Sequence, residues 1–243
     1  VPSGALYKAA LALRVPEAKV RLCGLPVREG FWSSAPRASR ADARAKLGLP
    51  FTEHPSMVLL MGGGGGFGSL YDVAVAIGQN LVTIGFGQLV VICGQNEEVK
   101  RKLEDFEWPP ELSKPVVLGF VPNIDEYMSA ADILVTKAGP GSIAEAMIKG
   151  LPCLLTSFVP GQEEGNVDFV TEARAGEFVD ELDPWKVAEK VAEWFQDPKR
   201  LRDMSRCALQ VGKPDATLEI AKVLSEEFLD AGASQKPLAD HGG

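Results

Sequence analysis

Short apolar segments that carry no charged side chain alternate with amphipathic segments along most of the chain. Residues 57–61, with the sequence Met-Val-Leu-Leu-Met, are the clearest example, because both faces of a strand with this sequence are apolar. Both faces must then be covered, which is typical of a parallel sheet between two layers of helices. The pattern therefore predicts an α/β fold with a doubly wound parallel sheet, in which ligands bind at the carboxyl ends of the strands.

The same patterns, with local start and stop signals, predict the individual elements. Strands are expected at residues 57–61, 88–93, 116–120, 133–136, 153–155 and 176–178, with a further strand-like piece at 20–22. Helices are expected at 5–13, 40–47, 70–81, 97–106, 124–130, 142–149, near 166–170, and at 184–194, 198–211 and 216–228. Residues 230–243 are rich in Gly, Ala and Pro and are expected to form a disordered tail.

Four loops that follow predicted strands would meet at one edge of this sheet. They are residues 62–68, which begin with five glycines, and the segments 119–121, 137–141 and 161–166. Five consecutive glycines lose much conformational entropy when they become ordered, so their expected gain is close approach of the backbone to a ligand. Four informative loops on one edge predict a binding site there.

The segment 133–146 is the most informative part of this predicted site. A buried strand is followed by Ala138-Gly139-Pro140-Gly141, which we expect to break it, and a helix is predicted to start at Ser142. Unpaired N–H groups at that helix start would attract an anion. Glu145 is expected in the first turn, where its carboxylate either accepts two hydroxyl hydrogens, as from a ribose, or merely suits the helix dipole; the residues alone leave both readings open.

Composition and motifs exclude several classes of function. A net charge of −8 argues against general nucleic-acid binding, which needs a basic face. The four cysteines form no Cys-x-x-Cys pair, so no zinc site is indicated, and the two histidines, His54 and His241, form no cluster. No apolar run is long enough to span a bilayer, and no signal peptide is seen. Because the chain begins with Val1 instead of Met, we interpret it as a fragment.

The glycine-rich loop does not match the common nucleotide motifs. Gly63, Gly65 and Gly68 fit a dinucleotide fingerprint, but a glycine run fits almost any such pattern, and Cys93-Gly94-Gln95 stands where the expected acid would be. The Gly-Lys-Ser/Thr of a P-loop and the Asp-x-Asp of one class of metal-dependent glycosyltransferases are both missing. The remaining hypothesis is a metal-independent site for a nucleotide diphosphate, with no cofactor.

Several segments resemble the monogalactosyldiacylglycerol (MGDG) synthases of plants and algae, in glycosyltransferase family 28. They are residues 62–68, Gly119-Phe120, the segment 137–147 (Lys-Ala-Gly-Pro-Gly-Ser-Ile-Ala-Glu-Ala-Met) and the segment 161–166 (Gly-Gln-Glu-Glu-Gly-Asn). The resemblance implies a GT-B fold with two Rossmann-like halves. Residues 1–50 would then end the acceptor-binding N-terminal domain and form the linker, and residues 51–229 would be the UDP-sugar-binding domain with C-terminal helices.

The resemblance also implies roles for individual residues. Backbone at Phe120 and Val121 would face uracil, and Glu145 would hold the ribose hydroxyls. Lys137 is either a residue that neutralises phosphate or a surface residue, and both interpretations stay open. The acidic loop around Glu163 either contacts the sugar or is merely solvated. The implied donor-binding residues are Gly64, Gly65, Gly66, Phe120, Val121, Lys137, Gly139, Pro140, Gly141, Ser142, Glu145, Gln162, Glu163 and Asn166.

The implied reaction is inverting transfer of galactose from UDP-galactose to 1,2-diacylglycerol, without a metal at the donor site. The catalytic base is unknown and is expected in the missing N-terminal half, so the fragment would bind the donor without turning over alone. The implied location is the chloroplast envelope membrane, as a peripheral or monotopic protein on the lipid surface, and a homodimer is left open. Phe31 and Trp32 would form either a lipid-facing patch or a packed linker. The alternatives are a lipid-acceptor UDP-GlcNAc transferase and a non-catalytic UDP-sugar-binding subunit.

Overall fold

The structure of the chain, a computed structural model, describes residues 1–32, 39–49, 56–62 and 69–233. These residues form one six-stranded sheet and ten α-helices. The strands are β1 (Met57–Met61), β2 (Gln88–Ile92), β3 (Val116–Leu118), β4 (Ile133–Thr136), β5 (Cys153–Leu155) and β6 (Gly176–Phe178). The helices are α1 (Gly4–Ala12), α2 (Arg40–Lys46), α3 (Leu70–Ile84), α4 (Glu97–Glu104), α5 (Ile124–Ala130), α6 (Pro140–Lys149), α7 (Glu164–Glu172), α8 (Pro184–Gln196), α9 (Pro198–Val211) and α10 (Ala216–Ala233).

The sheet is parallel throughout and has the strand order β3-β2-β1-β4-β5-β6. The order reverses between β1 and β4, because the chain proceeds from β1 towards one edge and returns to β4 to build the other. This is the switch point at which doubly wound sheets bind ligands. The predicted fold class is confirmed.

Successive residues of the central strands point to opposite faces of the sheet, and each face has its own core. On one face Leu59 and Leu134 pack with α5, α6 and α7. On the other face Leu60 and Val135 pack with α3 and α8, including the fully buried Trp194. The uninterrupted apolar strand sequences are explained by these two cores, because neither face of the sheet is left to water.

Side-chain caps fix several helix starts where the sequence carries Ser, Asn or Asp. Ser39 accepts the N–H of Asp42 at 3.1 Å and so caps α2, a helix that the sequence predicts at 40–47. Asn96 accepts the N–H of Val99 at 3.0 Å and so caps α4. Such caps replace hydrogen bonds that the first helical N–H groups would otherwise lack.

The prediction of a strand-like piece at residues 20–22 is wrong. Val20 and Cys23 are buried, but within the described ranges no strand of the sheet pairs with this segment. The alternation of apolar and polar residues in Val20-Arg21-Leu22 is therefore too short to specify a strand. Helix α10 continues to Ala233, and residues 234–243 of the expected tail lie outside the described residues. The expected domain boundary at 50/51 also falls on residues that are not described.

The segment that precedes the sheet is packed against it. Phe31 is 1% exposed and joins the core beside α6, and the indole N–H of Trp32 donates to the Val27 carbonyl at 2.6 Å. Because Phe31 is buried, it does not form a lipid-facing patch, and the segment is packed as the alternative interpretation expects. None of the helices within the described ranges is both long and apolar enough to cross a membrane.

Gly176 gives a test of the sheet's packing. A Cβ atom at Gly176 would lie 1.9 Å from the carbonyl oxygen of Cys153 on β5, which no side-chain movement can relieve. We predict that Gly176→Ala lowers the free energy of unfolding by about 2–4 kcal/mol in urea denaturation. Gly165→Ala is the matched control, because a Cβ there meets no atom within 4 Å, and it should change stability by no more than about 1 kcal/mol. Equal stabilities of the two variants would contradict this packing.

Candidate functional site

The candidate site lies where β1 and β4 end side by side. The Cα atoms of Met61 and Thr136 are partners in the parallel ladder, so Gly62 and Lys137 leave the sheet at the same edge. Helix α3 begins at Leu70, immediately after the glycine-rich loop. That loop and the turn at Lys137 therefore start from neighbouring strand ends, as the sequence predicts. Gly64, Gly65 and Gly66 lie outside the described residues.

Helix α6 begins at Pro140, with Gly139 as its N-cap, and the predicted start at Ser142 is wrong. A proline at the first helical position has a suitable fixed φ and lacks an N–H that would have no partner there, so it starts this helix instead of breaking the chain. The N–H groups of Gly141 and Ser142 bond to no residue in the described part of the chain. A Cβ at Gly141 would meet no atom within 4 Å. The positive end of α6 is therefore open to an anion.

Because α6 starts earlier, Glu145 lies in its second turn and not in the first turn as predicted. It is buried, with 6% of its surface exposed. Arg28 donates to both carboxylate oxygens, from Nε to Oε1 at 2.8 Å and from Nη2 to Oε2 at 2.7 Å. Burial raises the pKa of Glu145, and the hydrogen bonds and charge of Arg28 act against that rise. The helix dipole alone therefore does not account for this glutamate.

Sequence reasoning missed Arg28. The rigid turn Gly24-Leu25-Pro26-Val27-Arg28 can be seen in the sequence, but Arg28 is 117 residues away from Glu145. No spacing rule connects residues so far apart. Only the packing of residues 27–31 against α6 brings the guanidinium to the carboxylate.

Lys137 and Glu163 bind one another. Lys137 Nζ lies 2.5 Å from Glu163 Oε1, and Glu163 Oε2 accepts the N–H of Val159 at 2.9 Å. Glu163 is 8% exposed, so this position is not part of a solvated acidic loop. Lys137 is partly buried and paired, which differs from a free surface lysine. The pair ties the turn after β4 to the loop after β5, because each residue belongs to one of them.

The loop after β5 has further contacts with the same turn. Asn166 Nδ2 donates to the Ala138 carbonyl at 2.9 Å, and the Ala138 N–H donates to the Ser157 carbonyl at 2.7 Å. Gly161 has a φ of +77°, a conformation that favours glycine. Gln162, next to it, is exposed. The loop thus presents Gln162 to the site while Glu163 and Asn166 fix it in place.

The turn after β3 has free backbone groups. The Phe120 side chain is 70% exposed, and Val121 packs on the core. The N–H and C=O groups of these two residues form no hydrogen bond with any described residue. An anchored turn with unpaired donors and acceptors can bind the edge of a flat polar ring, since such an edge also carries donors and acceptors.

A cavity of about 230 Å³ lies next to this site. Pro140, Gln162 and Asn166 form its border with the loops described above. Most of its other lining residues are apolar: Pro2, Leu6, Leu25, Ile143, Ala144, Met147, Ile148, Phe169 and Val211, beside Ser3, Gly24, Gly212 and Lys213. The polar groups at the sheet edge therefore lie beside an apolar space.

Residues 57–220 match the family described as "Glycosyltransferase family 28 C-terminal domain". Curated relatives include monogalactosyldiacylglycerol synthase, chloroplastic, of Spinacia oleracea, which is 40% identical over 231 residues. Monogalactosyldiacylglycerol synthase 3, chloroplastic, of Arabidopsis thaliana is 38% identical over 226 residues. These alignments cover 93% and 91% of this chain, but only 42% and 47% of the relatives, so the chain spans less than half of their length.

Solved structures with a similar fold include MurG of Acinetobacter baumannii, with a TM-score of 0.62 and 17% identity over 87% of this chain and 58% of MurG. WaaG, a glycosyltransferase involved in lipopolysaccharide biosynthesis, has a TM-score of 0.59 and 16% identity, over 92% of this chain and 61% of WaaG. The S. aureus MnaA–UDP structure has a TM-score of 0.64 and 12% identity, over 94% and 60%. The fold is that of the GT-B glycosyltransferases, as the resemblance implied.

The pair of Lys137 and Glu163 yields a prediction about the loop. Glu163→Ala removes the acceptor of the Val159 N–H and the partner of Lys137, so we expect it to lower the free energy of unfolding by about 1–3 kcal/mol. Amide hydrogen exchange should also become faster over residues 157–163. Glu164→Ala is the control, because Glu164 is exposed, and we expect it to change stability by less than about 0.5 kcal/mol. A Glu163→Ala protein with unchanged stability and exchange would show that this pair does not hold the loop.

Proposed function

The chain belongs to glycosyltransferase family 28, as the C-terminal domain of that family, and on this premise we propose that it supplies the UDP-galactose site of an enzyme that transfers galactose to 1,2-diacylglycerol. The observation that carries the proposal is an identity of about 40% with monogalactosyldiacylglycerol synthases over 93% of the chain. The loops that carry the resemblance and are described, at 119–121, 137–141 and 161–166, follow β3, β4 and β5. All three strands are parallel, so these loops leave the sheet at its carboxyl ends, although β2 and β1 lie between β3 and β4.

The donor would lie across the ends of the strands. The free backbone groups of Phe120 and Val121 suit the edge of uracil, and the Glu145 carboxylate suits the two hydroxyl groups of ribose. The diphosphate would lie at the N-terminus of α6, near Gly139 and Pro140, where Gly141 and Ser142 present free N–H groups. The glycine-rich loop with Gly64, Gly65 and Gly66 would complete this cradle.

The sugar would contact Gln162 on the loop after β5. Gln162 is exposed, and Glu163 joins the turn after β4 to the loop after β5 by binding Lys137 and the Val159 N–H. We therefore assign Gln162 to the sugar hydroxyls and Glu163, Lys137 and Asn166 to the support of that loop. This narrows the role of Glu163 from a direct sugar contact to the positioning of its neighbour.

The proposed reaction inverts the anomeric carbon. A base in the acceptor-binding part of the enzyme would take the proton from the diacylglycerol hydroxyl, the oxygen would attack the galactose C1, and UDP would leave. The N–H groups at the start of α6 would stabilise the charge that develops on the departing diphosphate. In this proposal main-chain N–H groups stabilise that charge without a divalent ion.

The chemistry of the acceptor determines the location of the enzyme. Diacylglycerol resides in a bilayer, so the active site must reach a membrane surface. The relatives are named chloroplastic enzymes, and we propose peripheral attachment to the chloroplast envelope for this protein as well. Nucleic acid is not a proposed partner, given the net charge of −8.

Donor competition tests the proposed substrate. Isothermal titration calorimetry of the chain should show that UDP-galactose binds at least about 10-fold more tightly than UDP-GlcNAc, because the sugar loop matches the galactolipid enzymes. Addition of a chelator should leave the UDP-galactose affinity unchanged. Tighter binding of UDP-GlcNAc would favour a GlcNAc transferase, and a loss of affinity with the chelator would contradict the metal-independent cradle.

Replacement of Glu145 tests the ribose contact. Glu145→Ala removes the acceptor of two ribose hydroxyl groups, so UDP affinity should fall by about 1–3 kcal/mol in calorimetry. Glu193→Ala is a matched control, since Glu193 is also paired with cations, Lys190 and Arg200, but lies near the end of α8, where Phe195 packs on Phe86 before β2. UDP affinity that is unchanged in Glu145→Ala would remove this residue from the site.

A further inference from the structure

Arg28 leaves part of the hydrogen-bonding capacity of Glu145 unused. An ionised carboxylate has about four acceptor positions, two on each oxygen. Arg28 Nε donates to Oε1 and Nη2 donates to Oε2, and Nη2 also lies 2.7 Å from Oε1. Within the described ranges no other group donates to this carboxylate. Each oxygen thus accepts one hydrogen bond from Arg28, which leaves acceptor capacity for the neighbouring hydroxyl groups of a ribose.

The pair is asymmetric in its exposure. The Glu145 side chain is 8% exposed, whereas the Arg28 side chain is 52% exposed. Burial of a carboxylate is costly unless a cation or donor compensates it. Burial and the charge of Asp125 both raise the pKa of Glu145, and Arg28 is the cation that acts against them. Without Arg28, the carboxylate would therefore be protonated more easily.

The backbone that carries Arg28 is itself fixed. Its neighbour Val27 donates to Thr217 Oγ1 at 2.9 Å and accepts from the same hydroxyl at 3.1 Å. Two residues beyond Arg28, a Cβ at Gly30 would lie 2.6 Å from the carboxyl carbon of Asp125, so that backbone packs closely on α5. Phe31 is buried, and its ring lies 5.8 Å from the Arg28 guanidinium carbon. The residues before and after Arg28 are thus both fixed, and they hold the guanidinium next to Glu145.

We propose that Arg28 is a positioning residue for the nucleotide donor, whose two hydrogen bonds orient the Glu145 carboxylate so that its remaining acceptor positions bind the ribose hydroxyl groups. The inference rests on the proposed function, because it takes a ribose as the ligand of Glu145. It adds a residue from the segment before the sheet to a site otherwise built from loops at the strand ends. Arg28 acts through Glu145 and needs no contact with the donor.

A competing arrangement makes the opposite prediction. If the donor had to displace Arg28 from Glu145, removal of Arg28 would make binding tighter. If Arg28 positions Glu145, its removal makes binding weaker. The sign of the change therefore separates the two arrangements.

The test is calorimetric titration of the chain with UDP-galactose, for wild type, Arg28→Met and Arg28→Lys. Arg28→Met should bind about 10-fold more weakly, the loss expected when charge-assisted hydrogen bonds to a buried carboxylate disappear. Arg28→Lys keeps the charge but not the two-pronged geometry and should fall between wild type and Arg28→Met. Arg101→Met is the matched control, because Arg101 is exposed on α4, and it should bind like wild type.

The pH profile gives a readout that a loss of packing would not produce. Asp125, the other charged group acting on Glu145, favours its protonation, and Lys149 on α6 lies over the Phe31 ring. Since loss of Arg28 raises the pKa of Glu145 further, the affinity of Arg28→Met should fall more steeply than that of wild type as the pH is lowered. Glu145→Gln should remove this extra slope, and Arg28→Met should cause no further loss in the Glu145→Gln background.

The outcomes are distinct. Failure of wild type to bind UDP-galactose would overturn the proposed function and this inference with it. Binding by wild type with equal or tighter binding by Arg28→Met would overturn the inference alone. If thermal unfolding shows that Arg28→Met is not folded, Arg28→Lys decides, because an affinity equal to that of wild type would show that the geometry of the pair does not matter.

Discussion

The parallel direction of all six strands is the constraint on which the site depends. In such a sheet every strand ends at the same edge, so loops that are far apart in sequence become neighbours without contacts of their own. The strands are buried on both faces, and burial of their apolar side chains in the two cores offsets the conformational entropy lost when the strands become ordered. The loops are then free to carry polar groups and small residues.

Two ion pairs turn this edge into a defined surface. Lys137 and Glu163 join the turn after β4 to the loop after β5, and Arg28 and Glu145 join the segment before the sheet to α6. Each pair consists of a buried carboxylate and a more exposed cation. Such pairs are poor sources of stability, because desolvation offsets much of their attraction. Their evident effect is geometric, since they fix the positions of elements that the sheet alone does not fix.

The fold was predictable because its signals are local and periodic. Apolar runs predict β1 to β5, and the short strand β6 is predicted as well although it contains Glu177. The predictions are wrong where one residue type is compatible with two local structures. Pro140 is predicted only to break the preceding strand, but it begins α6, and the segment at Val20 is predicted as a strand but pairs with no strand of the described sheet. The pair of Arg28 and Glu145 could not be predicted from spacing, because only tertiary packing brings these residues together.

An open sheet has two outer strands whose backbone groups on one side lack a neighbour. Here both outer strands, β3 and β6, are only three residues long. Glu177 in β6 is also held by Lys190 of α8 and Arg200 of α9, so charged side chains surround that border. A second molecule would find little main chain to extend by strand addition. The architecture thereby protects itself against edge-to-edge aggregation.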